Sequence, residues 1–166
     1  MKNFVKILFF VFAFSMLVFS CKKPEVYSET PKITFKSINV TDTSTLLTDI
    51  RLVRITFSII DGDGDIGIQK DENDTVEDGY YDLIIKLFEK QNGVFQEITE
   101  FEAENNFRMP YVGGITQGNV LKADINVDIE NIFPIKYDTV YYEIYVFDNA
   151  MHQSNTIKTS EIILNQ

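Results

Sequence analysis

The chain has 166 residues, a formal net charge of −10 and one cysteine. This acidity argues against binding to nucleic acid and against electrostatic binding to anionic lipid, because both of these partners are negatively charged. A single cysteine excludes a disulfide within the chain, so stability has to come from core packing, with a bound metal as the remaining source of help.

The first 21 residues have the pattern of an export signal that ends at a lipid-attachment cysteine. Two lysines precede an apolar run, and the small residue Ser20 stands directly before Cys21. A basic start, an apolar stretch and a small residue before the cut are typical of a secretory signal. The segment Leu17-Val18-Phe19-Ser20-Cys21 looks like a bacterial lipobox, which implies diacylation of Cys21 and removal of residues 1–20. The alternative is an uncleaved membrane anchor, although the apolar run is shorter than the ~20 residues that span a bilayer.

The predicted domain boundaries follow from this signal. Removal of residues 1–20, which carry Lys2 and Lys6 and no acid, leaves 146 residues and changes the net charge from −10 to −12. Residues 21–31 contain the acylated cysteine and a polar stretch with two prolines, which predicts a tether. Residues 32–166 have a suitable length for a single domain with its own core.

Almost every patterned segment after the tether alternates apolar and polar residues, which is typical of strands with one face in a core. The predicted strands lie near 32–40, 50–60, 80–90, 94–100, 105–111, 119–129, 138–148 and 155–164, of which 105–111 has the weakest pattern. Asn92-Gly93 predicts a tight hairpin, because both residues tolerate a positive φ. Without the doubtful segment 105–111, six or seven antiparallel strands predict an all-β antiparallel β-sandwich, with an immunoglobulin-like Greek key as the first choice and a small barrel as the second.

An acidic loop follows the second predicted strand and contains the main candidate metal ligands. Carboxylates at alternating positions, separated by glycines, allow a loop to wrap oxygens around a hard cation, and Ca²⁺ takes about six to eight oxygens. On the twelve-residue calcium-loop template, Asp61, Asp63 and Asp65 take positions one, three and five, and Glu72 takes the last position. Ile66 stands where the template requires glycine, and a strand precedes the loop, so it is not an EF-hand.

Several alternatives to this ligand set remain open. Asp71, Asp74 and backbone carbonyls are alternatives to Glu72 as further ligands. A bare acidic turn is the alternative to a metal site, because Asp-Gly-Asp-Gly is also good turn chemistry. Three carboxylates within five residues repel one another, however, and a cation relieves this repulsion. We therefore predict a structural Ca²⁺, and Mg²⁺ is disfavoured because it keeps more of its waters.

A second polar loop, Asp148 to Asn155, joins the last two predicted strands. In an immunoglobulin-like sandwich the loop after the second strand and the loop between the last two strands lie at the same end. Asp148 is therefore a further candidate ligand, which approaches the acidic loop and completes the cation site. A structure that separates the two loops would contradict this prediction.

Three segments of the chain resemble a group of exported lipoproteins of the Bacteroidetes type. They are the DGDGDIG loop that begins at Asp61, the Arg-x-Pro segment at Arg108, and a closing D-x-A-x-x-x-S-N loop that begins at Asp148. The closing loop also resembles that of bacterial immunoglobulin-like domains, from which it departs at Met151-His152. The resemblance implies an outer-membrane lipoprotein with an immunoglobulin-like domain, and it implies no established activity. An acidic run after the cysteine accompanies surface export in this group, and Lys22-Lys23 departs from it, which favours the periplasmic face over the cell surface.

The sequence favours a non-catalytic binding module. His152 is the single histidine, no Gly-x-Ser-x-Gly elbow is present, and a carbohydrate-active enzyme is a remote alternative. A tethered sandwich with grouped loops is a frequent recognition scaffold, for an envelope protein or a glycan, and a structural or assembly subunit of an outer-membrane complex is the other alternative. Tyr141, Tyr145 and Phe147 share an outer face, which either forms a contact surface or is covered by residues 101–118.

Overall fold

A computed structural model describes residues 25–44, 48–67, 81–104, 107–111 and 118–165 of the chain. The signal segment, Cys21 and the candidate ligands Asp71, Glu72 and Asp74 lie outside these ranges. The elements, in chain order, are β1 Lys32–Ser44, β2 Asp49–Asp61, β3 Leu83–Gln91, β4 Val94–Glu97, α1 Thr99–Glu104, β5 Leu121–Ile132, β6 Thr139–Val146, β7 Ile157–Lys158 and β8 Ile162–Ile163. No helix in this part of the chain is long and apolar enough to cross a membrane.

The strands form two antiparallel sheets, which confirms the predicted all-β sandwich. The first sheet has the order β1-β2-β5, and the second has the order β4-β3-β6-β7 with β8 also paired to β6. Along the first sheet Asp61 lies opposite Leu121, whereas Ile50 lies opposite Ile132. The acidic loop and the end of β5 are therefore at opposite ends of the sandwich.

The core lies between the sheets because the strands alternate as the sequence predicts. On β2 the side chains of Val53, Ile55, Phe57 and Ile59 are buried, and their neighbours face outward. The second sheet contributes the side chains of Leu83, Ile85, Leu87, Val140, Tyr142, Ile144 and Val146 to the same core. A period of two places every second residue on one face of a strand, so these two sets meet in one layer.

The hairpin at Asn92-Gly93 is confirmed, with φ of 53° and 83° at its two residues. The strand that follows it ends at Glu97, and α1 occupies positions where the sequence predicts a continuing strand. The helix buries Phe101, whose ring centroid lies 5.9 Å from that of Tyr142. A helix of six residues is too short to show a recognisable period, which explains why the sequence does not predict it.

In place of the predicted last strand, 155–164, the structure has two short strands, β7 and β8, and each of them pairs with β6. At the division the hydroxyl of Thr159 accepts a hydrogen bond from the Tyr142 backbone N–H at 3.0 Å, and the Thr159 N–H donates to the Tyr142 carbonyl at 2.9 Å. Ser154 makes the same pair of bonds to Val146. The hydroxyl side chains thus take the place of backbone carbonyls in part of the strand ladder, because a hydroxyl competes with the backbone for hydrogen bonds to N–H groups. Of the weakly predicted strand 105–111, the described residues form one isolated β-bridge, between Phe107 and Leu83.

The outer face of the second sheet carries a small aromatic cluster around Tyr141. Its side chain is 6% exposed and stacks on Phe88, with ring centroids 4.8 Å apart. Phe95 of β4 approaches edge-on, and the Lys158 Nζ lies 3.5 Å from the ring centroid. Residues of β4 and β7 therefore cover Tyr141.

Candidate metal centre

Three aspartates converge where β2 ends. Asp61 is the last residue of β2, and the turn after it carries Asp63 and Asp65. Each contributes one carboxylate oxygen to a set whose members all lie within 4.8 Å of one another. The alternating spacing places the three side chains on the inside of a tight turn, as the sequence predicts for a cation loop.

Each of these three aspartates has one carboxylate oxygen without a hydrogen-bond partner. The Oδ1 atoms of Asp61, Asp63 and Asp65 are all buried, and no described donor reaches them. Asp61 is 0% exposed, and only its Oδ2 is occupied, by the Asp65 N–H at 3.1 Å. A buried carboxylate oxygen without a partner is costly, so the loop presents an unsatisfied requirement for positive charge.

The raised pKa values of two carboxyl groups in the loop indicate the same requirement for positive charge. Burial, together with the charges of Asp63 and Asp65, raises the pKa of Asp61 to about 6. Burial, followed by the charge of Asp148, also raises the pKa of Asp65. Desolvation and like charges both disfavour ionised carboxylates, and a bound cation reverses both effects.

Two other buried aspartates at this end provide a contrast. Asp82 accepts a hydrogen bond from the Met109 N–H at 2.6 Å. Asp148 accepts the His152 N–H at 2.7 Å on one oxygen and contacts His152 Nδ1 at 2.8 Å on the other. Hydrogen bonding to Asp148 raises the pKa of His152. Burial alone therefore does not leave carboxylates unpaired in this protein, and the three converging oxygens are a separate case.

The loop Asp148–Asn155 lies against the acidic loop, so the predicted meeting of the two loops is confirmed. The Asn149 backbone N–H donates to the Asp65 carbonyl at 3.3 Å, and its side-chain Nδ2 donates to the Gly67 carbonyl at 2.9 Å. The carboxylate of Asp148 belongs to the pair with His152 and not to the converging set. A direct role for Asp148 as a ligand stays a prediction, as do the roles of Glu72, Asp71 and Asp74.

Backbone contacts from other segments hold the acidic loop in place. The Gly62 N–H donates to the Ser28 carbonyl at 2.8 Å, and the Gly118 N–H donates to the Asp63 carbonyl at 2.7 Å. A Cβ at Gly62 would lie 2.4 Å from the Ser28 carbonyl oxygen, and one at Gly67 would lie 2.6 Å from the Pro110 carbonyl oxygen. The sequence does not reveal these partners, and the two glycines are its only signal that backbone approaches closely here.

A groove lies at the opposite end of the sandwich. Two adjoining cavities of about 230 and 300 Å³ share the residues Glu100, Lys136 and Tyr137. The Lys136 Nζ contacts the Glu100 carboxylate at 3.1 Å, and both side chains are exposed. The sequence does not predict this groove, because the groove forms where α1 meets the connection between β5 and β6.

Comparison with known proteins adds no relative to this description. A scan against protein-family models finds no match, and searches of curated proteins and of solved structures find no similar chain. The chemistry of the described residues is therefore the ground on which a function is assigned.

Proposed function

We propose that this protein is a lipid-anchored cell-envelope module, non-catalytic in role, whose acidic loop binds a structural Ca²⁺. The observation that carries the metal assignment is the set of three buried, unpaired carboxylate oxygens of Asp61, Asp63 and Asp65. Ca²⁺ prefers hard oxygen ligands of this kind, and its charge offsets the repulsion among the three carboxylates.

The geometry of the loop fits this ion. Oxygens that share one Ca²⁺ at about 2.3–2.6 Å lie at most about 5 Å apart, which is twice the bond length. The separation of up to 4.8 Å among the three oxygens agrees with this limit. Burial of the oxygens supports a structural role, because a cation held below the surface stabilises the loop rather than contacting a substrate.

The order of the strands supports an immunoglobulin-like arrangement. If β1, β2 and β5 are strands A, B and E, the first sheet has the expected order A-B-E. If β4, β3, β6 and β7 are strands C′, C, F and G, the second sheet is C′-C-F-G. This assignment agrees with the loops that meet at the metal centre, which are then the B–C and F–G loops.

The lipobox that ends at Cys21 supports export and attachment to the outer membrane, with the periplasmic face favoured. Two acyl chains on one cysteine give stable anchoring, whereas a single chain binds a membrane only marginally. A ligand-binding role is supported by the groove beside Lys136, since it lies at the end of the sandwich remote from Ser28.

Calcium is expected to raise the melting temperature of the full chain in detergent. With 10 mM Ca²⁺ and a dissociation constant of about 10⁻⁴ M, mass action adds about 2.7 kcal/mol to the free energy of unfolding. For a chain of this size the gain corresponds to roughly 5–10 °C relative to EDTA. The measurement is a pair of thermal melts for the wild type and for Asp63→Asn, which is expected to lose most of the shift.

The matched control for this melt is Asp124→Asn. It removes the same charge from an exposed aspartate that pairs with Lys36 on the outer face of the first sheet. Its calcium shift should equal that of the wild type. The metal assignment would be refuted if calcium raised the melting temperature of the wild type and of Asp63→Asn by the same small amount, or did not raise that of the wild type at all.

Acylation of the single cysteine is expected to be complete and specific. Growth of the bacterial host with an alkyne-bearing fatty acid should label the wild type and should not label Cys21→Ser, since no other thiol exists in the chain. Intact mass should also show the loss of residues 1–20 from the wild type. Equal labelling of both proteins would contradict the assignment of Cys21.

A further inference from the structure

We infer that the acidic loop acts as a clasp on residues 25–30, which precede the buried Pro31, so that bound Ca²⁺ fixes this part of the tether to the domain and loss of Ca²⁺ releases it. This inference rests on the proposed calcium site and adds a regulatory role to it. The name clasp refers to the contact between Gly62 and Ser28.

The contact between Gly62 and Ser28 lies within the run of proposed metal ligands. Gly62 stands between Asp61 and Asp63, and its N–H donates to the Ser28 carbonyl at 2.8 Å. The two backbones touch so closely that a Cβ at Gly62 would lie 2.4 Å from the Ser28 oxygen and 2.8 Å from the Tyr27 oxygen. Any movement of the acidic loop therefore moves the donor that holds this segment.

The other contacts of the segment are at the surface. The ring of Tyr27 lies 4.1 Å from the Lys122 Nζ, and its hydroxyl bonds to Glu25 and Lys122. Lys122 and Glu25 are also 3.7 Å apart, with both side chains more than half exposed. Exposed ion pairs contribute about 0–1 kcal/mol, so these contacts alone hold the segment weakly.

The cation determines whether the loop keeps the shape that the clasp requires. Without it the carboxylates of Asp61, Asp63 and Asp65 repel one another at less than 4.8 Å, and the loop relaxes by opening. An open loop carries the Gly62 N–H away from Ser28. A bound cation closes the loop and restores the hydrogen bond, so the mobility of the segment is linked to the occupancy of the site.

The test is the mobility of a nitroxide label at Val26→Cys in the full chain in detergent. Val26 is 93% exposed, so the substitution disturbs no contact, and acylation leaves Cys21 unavailable to the label. In Ca²⁺ the rotational correlation time of the label should be at least about twofold longer than in EDTA. A label at Val94→Cys, on the exposed β3–β4 hairpin, is the control and should not respond.

A second variant separates the clasp from the metal site. Gly62→Ala keeps every carboxylate, and its new Cβ displaces Ser28, so the label at position 26 should stay mobile in Ca²⁺ while calcium still raises the melting temperature. Equal mobility of the wild-type label in Ca²⁺ and EDTA, alongside a calcium-dependent melt, would overturn the clasp and leave the metal site intact. A melt without a calcium shift would refute the metal site, and the clasp with it.

Discussion

Gly67→Ala is expected to lower the free energy of unfolding by about 2–5 kcal/mol, among the largest losses for any single substitution near the metal centre. Gly67 has φ +77°, a conformation that costs an L-residue about 1–2 kcal/mol. The new Cβ would also lie 2.6 Å from the Pro110 carbonyl oxygen and 3.0 Å from that of Met109. Both neighbours are backbone atoms, so relief requires movement of the chain.

Gly93→Ala separates these two causes. Gly93 has φ +83° and nothing within 4 Å of its added Cβ, so it should lose only the conformational part, about 1–2 kcal/mol. Urea denaturation of both variants in Ca²⁺ gives the comparison. Equal losses would show that the close approach of Pro110 to Gly67 contributes nothing to stability.

The metal-free protein is expected to lose about 2 kcal/mol of stability as the pH rises from 4 to 7. The pKa of Asp61 is raised from its ordinary value of 3.8 to about 6, so the folded state favours the protonated acid. The protonated Asp61 carboxyl stabilises the folded state fully below pH 4, and this stabilisation is lost as the pH rises through 6. The pKa values of Asp65, Asp82 and His152 are also raised and act in the same direction.

Calcium should reverse this dependence. Protons compete with the metal for the carboxylates, so the stabilisation by Ca²⁺ grows between pH 4 and pH 7. Denaturation in EDTA and in Ca²⁺ across this range measures both trends, and Asp61→Asn should flatten the slope in EDTA. Exposed Asp42 and Asp128, whose pKa values are lowered by Arg51 and Arg54, act only below pH 4. A metal-free protein that gains stability toward pH 7 would contradict the burial of an unpaired Asp61.

Most of the fold is predictable from local pattern. The alternation on β2, β3, β5 and β6 places the core-facing residues correctly, because a strand with one face in the core has a period of two. Ile84 and Tyr141, on the outer face of the second sheet, are also buried, which alternation does not predict. The division of the last strand into β7 and β8 is not predictable in this way. It depends on the hydroxyl of Thr159, which bonds to the backbone of Tyr142 seventeen residues away, and such pairings leave no periodic signal.

The candidate site is also predictable in part, where it depends on residues that are close together in the sequence. Asp61, Asp63 and Asp65 lie within five residues, so their convergence follows from the turn itself. The approach of Asn149 follows from the expected arrangement of loops in a sandwich. The contacts of Ser28 and Pro110 with Gly62 and Gly67 depend on chain segments that are distant in sequence, and only the completed fold brings them together.

The position of Ser28 also sets the distance between the domain and the lipid. With Cys21 acylated as proposed, six residues lie between the anchor and Ser28, and the fully extended chain from one to the other covers at most about 25 Å. Release back to the buried Pro31 leaves nine residues between the anchor and the domain, and the fully extended chain then covers at most about 35 Å. On the proposed clasp, the acidic loop decides whether the sandwich is held close above the membrane or ranges over a volume about three times larger, with its groove carried outward by the same amount.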